Sequence, residues 1–335
     1  MNANKKKSAL ATVVATMLLL VACSAAEAGA IKIRIASDLA DDAPKSVALY
    51  QFEKDVEKMS NGALDVEVYT NNALGGELQY HDAIVDGSVE MVTAGTGFAS
   101  RFHPYAAFDT PFLIGNWDEA RTVFNSEYAK SVFKDMPTVA GTRFLAFTPI
   151  GFRAFASVRP ITKMDDIKGL RFRAPAIPVY LRMIKNLGAN PVAFPLGELF
   201  TALEQKACQA LELPVGTIST GKFYEVASYI LDTKHMMTVQ SLIVNERFFQ
   251  KLSPENQKVL LDASALLQKN CVDYYEEYEK GVFDKMAADG ATINIPTPEF
   301  LAAMRQSMED IVEVIEEEHA GVAVVVDGIK RVLGR

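Results

Sequence analysis

The chain has 335 residues, of which 34 are Lys or Arg and 42 are Asp or Glu, giving a formal net charge of −8. An acidic surface of this kind argues against nucleic acid or an anionic lipid surface as the partner. The length suffices for two domains with separate hydrophobic cores.

The first 30 residues are predicted to be a signal peptide that is removed. Three lysines (Lys5–Lys7) precede an apolar stretch, residues 9–22, that is too short to span a bilayer comfortably. Cleavage after "AEA" would fall near residues 28–30, whereas "LVAC" resembles a lipobox in which Cys23 would be acylated, and both forms stay open. Either form places the protein outside the cytoplasm, in the periplasm. Losing three lysines and one glutamate takes the net charge from −8 to −10.

Strands alternate with helices in the first part of the chain. "IKIRIAS" (residues 31–37) is typical of an opening strand, and a helix follows from Asp42 and Pro44 until Gly62 ends it. A second strand (63–69), a turn and helix (74–87) and a third strand (89–95) come next, which predicts a parallel α/β sheet. Ligands bind at the carboxyl ends of such strands, so we expect "DLADDAP", "NNALGGE" and "AGTGFAS" to line a site.

A second α/β unit follows two strand-like runs that flank Gly151. It has strands at 169–174 and 189–194 and helices at 176–187 and 197–206. The segments 225–232 and 238–245 resemble strands on either side of a crossing back. A helical pattern over 253–289 is too long to lie against one sheet, so it is predicted to bridge two domains, and the tail (297–333) is helical.

Enzyme and metal motifs are missing from the sequence. It contains no GxSxG, P-loop or HExxH motif, so neither catalysis nor a cofactor is predicted. The four histidines lack metal-ligand spacing, so no metal site is predicted either. Cys208 and Cys271 could pair in an oxidising compartment or stay as buried free thiols, and both possibilities remain open.

Arginines are concentrated in strands that are otherwise apolar, "GFRAFASVRP" and "GLRFRAP". Each could pair with a nearby carboxylate such as Asp165, Asp166 or Glu198, or extend into solvent. Arg153 and Arg173 together follow the pattern of strand ends aimed at a cleft. Because a guanidinium stays charged and matches a carboxylate in two-point geometry, this pair indicates an anion receptor. The four arginines of these strands are Arg153, Arg159, Arg171 and Arg173.

Five segments, in this order, resemble the DctP-type substrate-binding proteins of TRAP (tripartite ATP-independent periplasmic) transporters. They are "NNALGGELQYHDAIVDGSVEM", "FDTPFLIGNWDEA", "MDDIKGLRFRAP", "PVAFPLGELFTALEQKACQALELP" and "GKFYEVASYILDTKH". The resemblance implies an α/β, two-lobed periplasmic binding protein fold with crossing strands and a long interdomain helix. It implies no catalysis, a monomer, and delivery of a small anionic ligand to a membrane permease. The expected lobes are 31–150 plus 239–278 and 151–238 plus 279–335.

The resemblance also implies the residues of the ligand site. Arg173 matches the arginine that clamps the ligand carboxylate, Arg153 matches one that often assists, and Arg171 is expected to be structural or solvent-facing. Where the family usually has "DGQENP" this chain has "QALELP", which keeps Glu212 and Pro214 but places Leu213 where a polar or aromatic contact is usual. The remaining candidates are Leu196 and Phe98 as apolar walls, Glu77 and Asp38 as polar contacts, and Thr96 and His235.

The expected ligand is a small carboxylate or 2-oxo acid with an apolar or aromatic tail. Leu196, Leu213 and Phe98 would bury that tail, at about 25 cal/mol per Å² of apolar area removed from water. A short sulfonate, a dicarboxylate or a sugar acid are the alternatives. Two other functions stay open as rivals: a receptor for a periplasmic sensor or for an ABC importer, and a periplasmic enzyme, for which the sequence shows no nucleophile and base.

Overall fold

The structure, a computed structural model, describes residues 29–335. Most of the predicted signal peptide, including Cys23, lies outside the described residues. The strands are β1 (Ile31–Ala36), β2 (Leu64–Tyr69), β3 (Met91–Ala94), β4 (Thr142–Phe147), β5 (Arg153–Ser157), β6 (Arg171–Ala174), β7 (Asn190–Ala193), β8 (Ala210–Pro214), β9 (Tyr229–Leu231), β10 (Ser241–Asn245) and β11 (Thr292–Asn294).

Helices cover the faces of the sheets and form the tail. They are α1 (Pro44–Met59), α2 (Glu77–Asp86), α3 (Trp117–Asn125), α4 (Glu127–Ser131), α5 (Met136–Val139), α6 (Pro178–Asn186), α7 (Leu199–Glu204), α8 (Val215–Thr220), α9 (Glu246–Lys251), α10 (Pro254–Ala288), α11 (Pro298–Ser307), α12 (Ile311–Glu318) and α13 (Val322–Val332). Within residues 29–335, no helix is both long and apolar enough to cross a membrane.

The first sheet has the strand order β2-β1-β3-β10-β4. As predicted, β1 pairs in parallel with β2 and β3. The prediction of a parallel sheet concerned these three strands; β10, which joins the same sheet, runs antiparallel to both β3 and β4. The reason is the path of the chain. The strand β10 follows a segment that comes from the second sheet, so it enters the first sheet at the end where β1, β2 and β3 finish.

The second sheet has the order β11-β9-β5-β8-β6-β7. Its strands β6, β7 and β8 run in parallel, whereas β5 is antiparallel to β8 and β9. The chain passes between the sheets three times: through residues 148–152 between β4 and β5, through residues 232–240 between β9 and β10, and through α9 and α10 between β10 and β11. The first two connections are short and extended. We call them the crossing segments.

The crossing segments are hydrogen-bonded to each other. The amide of Thr148 donates to the carbonyl of Gln240 (2.7 Å), that of Ile150 to Thr238 (3.0 Å), and that of Thr238 to Gly151 (3.0 Å). These hydrogen bonds join the two crossing segments into a short two-stranded ladder. We call this ladder the hinge, because the two sheets share no strand and the chain passes between them here.

Helix α10 spans both sheets, as its predicted length indicated. It begins after Ser253, whose hydroxyl accepts a hydrogen bond from the amide of Asn256 (3.2 Å). Its first part packs against α1 and β4 of the first sheet, and its last part against α8 and β11 of the second. The predicted two-lobed α/β fold with crossing strands and a long interdomain helix is thereby confirmed.

The tail packs against elements from both halves of the chain. Helix α11 contacts the 3-10 turn Met164–Asp166 and α12 contacts α6, both next to the second sheet. Helix α13 packs against the 3-10 segment His103–Asp109, which belongs to the connection between β3 and β4. The lobe limits given above stay a prediction, with α13 as the part of the tail that reaches the first lobe. Cys208 and Cys271 are both free and buried.

Docking of α13 depends on a glycine. A Cβ at Gly328 would overlap the phenol ring of Tyr128, whose hydroxyl donates to the carbonyl of Val324 (3.2 Å). We expect Gly328→Ala to destabilise the protein by about 1–3 kcal/mol, because the ring must move out of a packed contact. Gly281→Ala in α10, where a Cβ meets nothing within 4 Å, should instead stabilise by about 0.5–1 kcal/mol. Thermal unfolding of both variants checks this, and equal shifts would contradict it.

Candidate ligand-binding site

A cleft lies between the two sheets, beside the hinge. It has an inner cavity of about 110 Å³ and a wider mouth of about 580 Å³, which share several lining residues. The loops after β1 and β3 and the start of α2 form the first-lobe wall, as predicted for "DLADDAP", "NNALGGE" and "AGTGFAS". Lining residues include Asp38, Glu77, Gly95, Gly97, Arg153, Arg173, Leu196, Leu213, Thr238 and Gln240.

Arg173 brings a positive charge to both parts of the cleft. It lies on β6, its residue is only 3 % exposed, and the flanking Phe172 and Ala174 are buried. Its Nε and Nη2 donate to one carbonyl oxygen, that of Phe194, at 3.0 and 2.7 Å. Among the described residues no carboxylate forms an ion pair with it. Burial lowers the pKa of Arg173 to about 10, so the side chain is still charged at neutral pH.

Arg153 also lines the inner cavity, but its charge is already paired. Its Nη2 donates to Oε1 of Glu212 (2.6 Å) and to the Glu212 carbonyl (3.0 Å), and Nε bonds to Oε2 of the same carboxylate. Its Nη1 donates to the hydroxyl of Thr238 (2.7 Å). The guanidinium also lies over the ring of Tyr180, 4.8 Å from the centroid. Arg153 therefore offers a ligand far less unpaired charge than Arg173 does.

The Arg153–Glu212 pair is fully enclosed. Burial by itself opposes both charges, yet the pKa of Glu212 is lowered and that of Arg153 raised, because each faces the other at close range. His235 lies behind the pair, with Nε2 3.8 Å from Oε2 of Glu212 and Nδ1 hydrogen-bonded to the hydroxyl of Thr233 (2.7 Å). Burial lowers the pKa of His235, which keeps the ring neutral. The structure thus places Glu212 and His235 behind the cavity wall.

The first-lobe wall contains a buried lysine that the sequence analysis missed. Lys45 Nζ donates to Oδ1 of Asp38 (3.2 Å), to the hydroxyl of Thr93 (3.1 Å) and to the side-chain oxygen of Gln240. It stands in "DDAPKS" as the second residue of α1, where a lysine normally reaches solvent. The sequence signal that could have indicated a role for Lys45 is its position directly after "DLADDAP", a loop predicted to line the site. Lys45 fixes the orientation of both Asp38 and Gln240 toward the cavity.

Glu77 is the second acidic group of this wall. Its side chain, about one-third exposed (34 %), begins α2 and packs against Gly97, where a Cβ would lie 3.1 Å from Oε1. Although the side chain is partly exposed at the cleft, the protein around the carboxyl group keeps water away from it, and this desolvation, with the nearby Asp38 charge adding, raises the pKa of Glu77 to about 8. His81 lies behind it, with Nε2 3.8 Å from Oε1 of Glu77.

Apolar side chains of the second lobe face these polar groups. Leu196 and Leu213 line the inner cavity as predicted, and Ile177 and Tyr180 join them. Phe98, predicted to contact a ligand tail, is instead fully buried and packs edge-on against His81 with centroids 5.2 Å apart. It supports the wall from behind, because the turn after β3 directs it inward. The side chain of Thr96 lies outside what the structure describes.

The remaining two arginines have structural surroundings. Arg171 is exposed, and its Nε and Nη2 donate to the carbonyls of Ala207 (3.1 Å) and Lys206 (2.6 Å). Arg159 donates to the carbonyl of Asp166 (3.1 Å). Both hold loops of the second lobe together, and neither is among the residues that line the cleft.

Two α/β lobes, a hinge and a cleft lined by Arg173, a buried cation without an ion pair among residues 29–335, define a two-lobed receptor for a small solute. Comparison with known proteins identifies it further. The chain belongs to the family of bacterial extracellular solute-binding proteins, family 7 (DctP), which it matches over residues 35–319. It is a DctP-type substrate-binding protein of a TRAP transporter, and therefore a binding protein and not an enzyme.

Relatives with solved structures or assigned ligands agree in fold over nearly the whole chain. A sugar acid binding protein from Advenella mimigardefordensis, in complex with galactonate, is 31% identical with a TM-score of 0.85, covering 90% of this chain and 99% of that one. A TRAP solute-binding protein from Haemophilus influenzae with bound L-gulonate is 28% identical, with the same TM-score and coverage. The C4-dicarboxylate-binding periplasmic protein DctP of Rhodobacter capsulatus is 28% identical over 320 residues, 92% of each chain.

Proposed function

We propose that this protein is the periplasmic receptor that captures a monocarboxylic sugar acid and presents it to the membrane permease of a TRAP transporter. We infer the ligand class from the different chemical groups on the two sides of the cleft. The buried guanidinium of Arg173, which has no ion-pair partner in the part of the chain that the structure describes, faces a wall of oxygen and amide groups.

The carboxylate of the ligand would bind Arg173. Its guanidinium spends two donors on a single carbonyl, so it has further N–H groups available for an anion. In a cleft largely closed to water, a charge-assisted hydrogen bond of this kind is stronger than one in solvent. Arg153 would then hold the wall next to the carboxylate, as a positioning residue for the site.

The body of the ligand must satisfy two different walls. A purely apolar tail, which the sequence favoured, matches Leu196 and Leu213 but would remove water from the polar groups of Asp38, Glu77 and Gln240 that face the cavity, with no polar group of the ligand to replace it. A chain of CH–OH groups has hydroxyls for the polar wall and C–H surfaces for the apolar one. Two of the relatives described above, at 31% and 28% identity, hold galactonate and L-gulonate, which have this composition.

A second ligand class is favoured by the apolar wall alone: a carboxylate or 2-oxo acid with an apolar or aromatic tail. Leu213 replaces a polar or aromatic contact, and Ile177 and Tyr180 add to the same surface. This class would use Arg173 in the same way but leave the first-lobe wall hydrated.

A thermal-shift screen separates the two classes, since a saturating ligand raises stability by RT ln(1 + [L]/Kd). We expect galactonate and gulonate to raise the unfolding temperature more than phenylacetate, pyruvate and succinate, each at the same concentration. Phenylacetate or pyruvate as the best compound would favour the apolar-tail class. A neutral sugar binding as well as its acid would contradict the role of Arg173.

Periplasmic location follows from the predicted signal peptide and from the family. The soluble and lipid-anchored forms differ at Cys23, and mass spectrometry of the mature protein distinguishes a chain starting near residue 29 from an acylated one. A gene pair for a permease without an ATPase beside this one would favour transport over delivery to a sensor.

A further inference from the structure

Glu279 connects three elements at the hinge. It lies near the end of α10, and its Oε1 accepts a hydrogen bond from the backbone amide of Phe152 in the first crossing segment (2.8 Å). Its Oε2 accepts a hydrogen bond from the indole Nε1 of Trp117, the first residue of α3 (2.8 Å). A single carboxylate thus joins the long helix, the crossing segment and a helix of the first lobe.

The surroundings of this carboxylate allow a close approach to the backbone. Gly151 has φ = +91°, and a Cβ on it would lie 2.5 Å from Oε1 of Glu279. The Trp117 and Phe152 rings meet edge-on, with centroids 5.7 Å apart. The Glu279 carboxylate is therefore surrounded by the left-handed backbone of Gly151, the contact between the Trp117 and Phe152 rings, and two N–H donors.

The residue after Phe152 is Arg153, which lines the ligand cavity. Its own amide donates to the carbonyl of Met236 in the other crossing segment (2.9 Å). We propose that Glu279 is a positioning residue for ligand binding: its negative charge clamps the crossing segment and α3 to the long helix, and neutralising it releases them. Without the clamp, the ligand must order the strand that carries Arg153, so binding becomes weaker.

Protonation is a natural way to release the clamp. Burial raises the pKa of Glu279 to about 7, and two charged groups of the other crossing segment act on it, Lys234 lowering and Asp232 raising this pKa. As the pH falls through about 7, Glu279 takes up a proton, and the neutral carboxyl group is a much weaker acceptor for the two N–H groups than the carboxylate. The neighbouring charges on α3 and α10 pair among themselves, Arg121 with Asp118 and Glu276, and Lys280 with Glu277.

Trp117 makes this proposal directly measurable, because it is the single tryptophan of the chain. We expect the fluorescence of the ligand-free protein to change with pH, with a midpoint near 7. Glu279→Gln, which keeps the shape but offers only one acceptor oxygen, should abolish this transition. Glu276→Gln is the matched control, since Glu276 lies one turn earlier on α10 and also contacts α3, through Arg121. A transition that persists in Glu279→Gln, or is lost in Glu276→Gln, would overturn the proposal.

Calorimetry with galactonate tests the effect on binding, which rests on the proposed function. We expect protonation of Glu279 to lower wild-type affinity about fivefold between pH 8 and pH 6, and Glu279→Gln to bind about fivefold more weakly at pH 8 and to lack this contribution, keeping only the pH dependence of Glu77, which lines the cleft and has a pKa of about 8. Equal pH profiles for the wild type and Glu279→Gln would refute the clamp. If galactonate does not bind the wild type at all, the ligand class is wrong, and the fluorescence titration still decides the proposal.

A second variant covers the case in which Glu279→Gln fails to fold. Trp117→Phe removes one donor to Glu279 and leaves the aromatic contact with Phe152. We expect amide hydrogen exchange of residues 148–153 to be faster in this variant than in the wild type at pH 8 and, after correction for intrinsic rates, faster in the wild type at pH 6 than at pH 8. Unchanged exchange would show that the clamp does not hold the crossing segment.

Discussion

Arg173→Ala is expected to lower ligand affinity by at least about 30-fold. Removing one partner of a buried, hydrogen-bonded charge pair costs about 2–5 kcal/mol, and each 1.4 kcal/mol is tenfold in Kd. Arg173 is buried, lines both parts of the cleft and has no ion-pair partner among the described residues, so no second side chain there replaces it. Isothermal titration with the best acid from the thermal-shift screen measures the effect.

The neighbouring strand residue Arg171 supplies the control. It carries the same charge two positions earlier but is exposed and bonded to the carbonyls of Lys206 and Ala207. We expect Arg171→Ala to bind within about twofold of the wild type, since surface charges of this kind contribute little. Equal losses in both variants would mean that general positive charge, and not the side chain of Arg173, attracts the ligand.

Glu212→Gln is expected to have the largest effect on stability, about 3 kcal/mol or more. The substitution leaves the Arg153 guanidinium buried beside a neutral amide, and breaking a buried ion pair from one side typically costs about 3–5 kcal/mol. Glu212 is fully buried and accepts from two nitrogen atoms of Arg153 through its carboxylate. Urea unfolding followed by circular dichroism gives the change in the free energy of unfolding.

Two further variants test the cause of this loss. Glu277→Gln removes an exposed carboxylate that pairs with Lys280, and we expect a change below about 0.5 kcal/mol. Replacing both partners, Arg153→Met with Glu212→Leu, should recover part of the stability while ligand affinity stays low, because no charge is then left unpaired. A double variant less stable than Glu212→Gln would show that packing, not charge, dominates here.

Much of the fold follows from the sequence because the periodicities are local. The strand at 31–37, the helix after Pro44 and the helix over 253–289 were predicted within a few residues of their observed limits. The direction of β10 was not predictable in this way. Its partners, β3 and β4, lie far away in sequence, and the alternation of apolar residues carries no information on strand polarity.

The place of a site residue was predictable where a sequence motif puts it at the end of a strand. Its role was not predictable where that role depends on a partner side chain that is distant in sequence. Arg173 and Leu196 line the cleft as expected. Arg153 does too, but its main partner is Glu212, a contact between two strands that only the folded sheet brings into register. Lys45 was missed and Phe98 was wrongly assigned to the ligand surface for one reason: side-chain direction at the start of a helix or in a 3-10 turn is set by tertiary packing, not by residue type.

The position of β10 in the first sheet has a consequence for how the protein acquires its structure. This central strand, flanked by β3 and β4, comes from residues 241–245, after almost all of the second sheet has been synthesised. Until it inserts, β3 and β4 each present an unpaired edge, the kind of surface at which chains aggregate. The second lobe can therefore form its centre, β5, β6 and β8, from earlier residues, while the first waits for pairing over long sequence separation, which slows folding. A chain ending before residue 241 would lack the strand that joins the two parts of its first lobe, so the receptor can gain a ligand cleft only late in its folding.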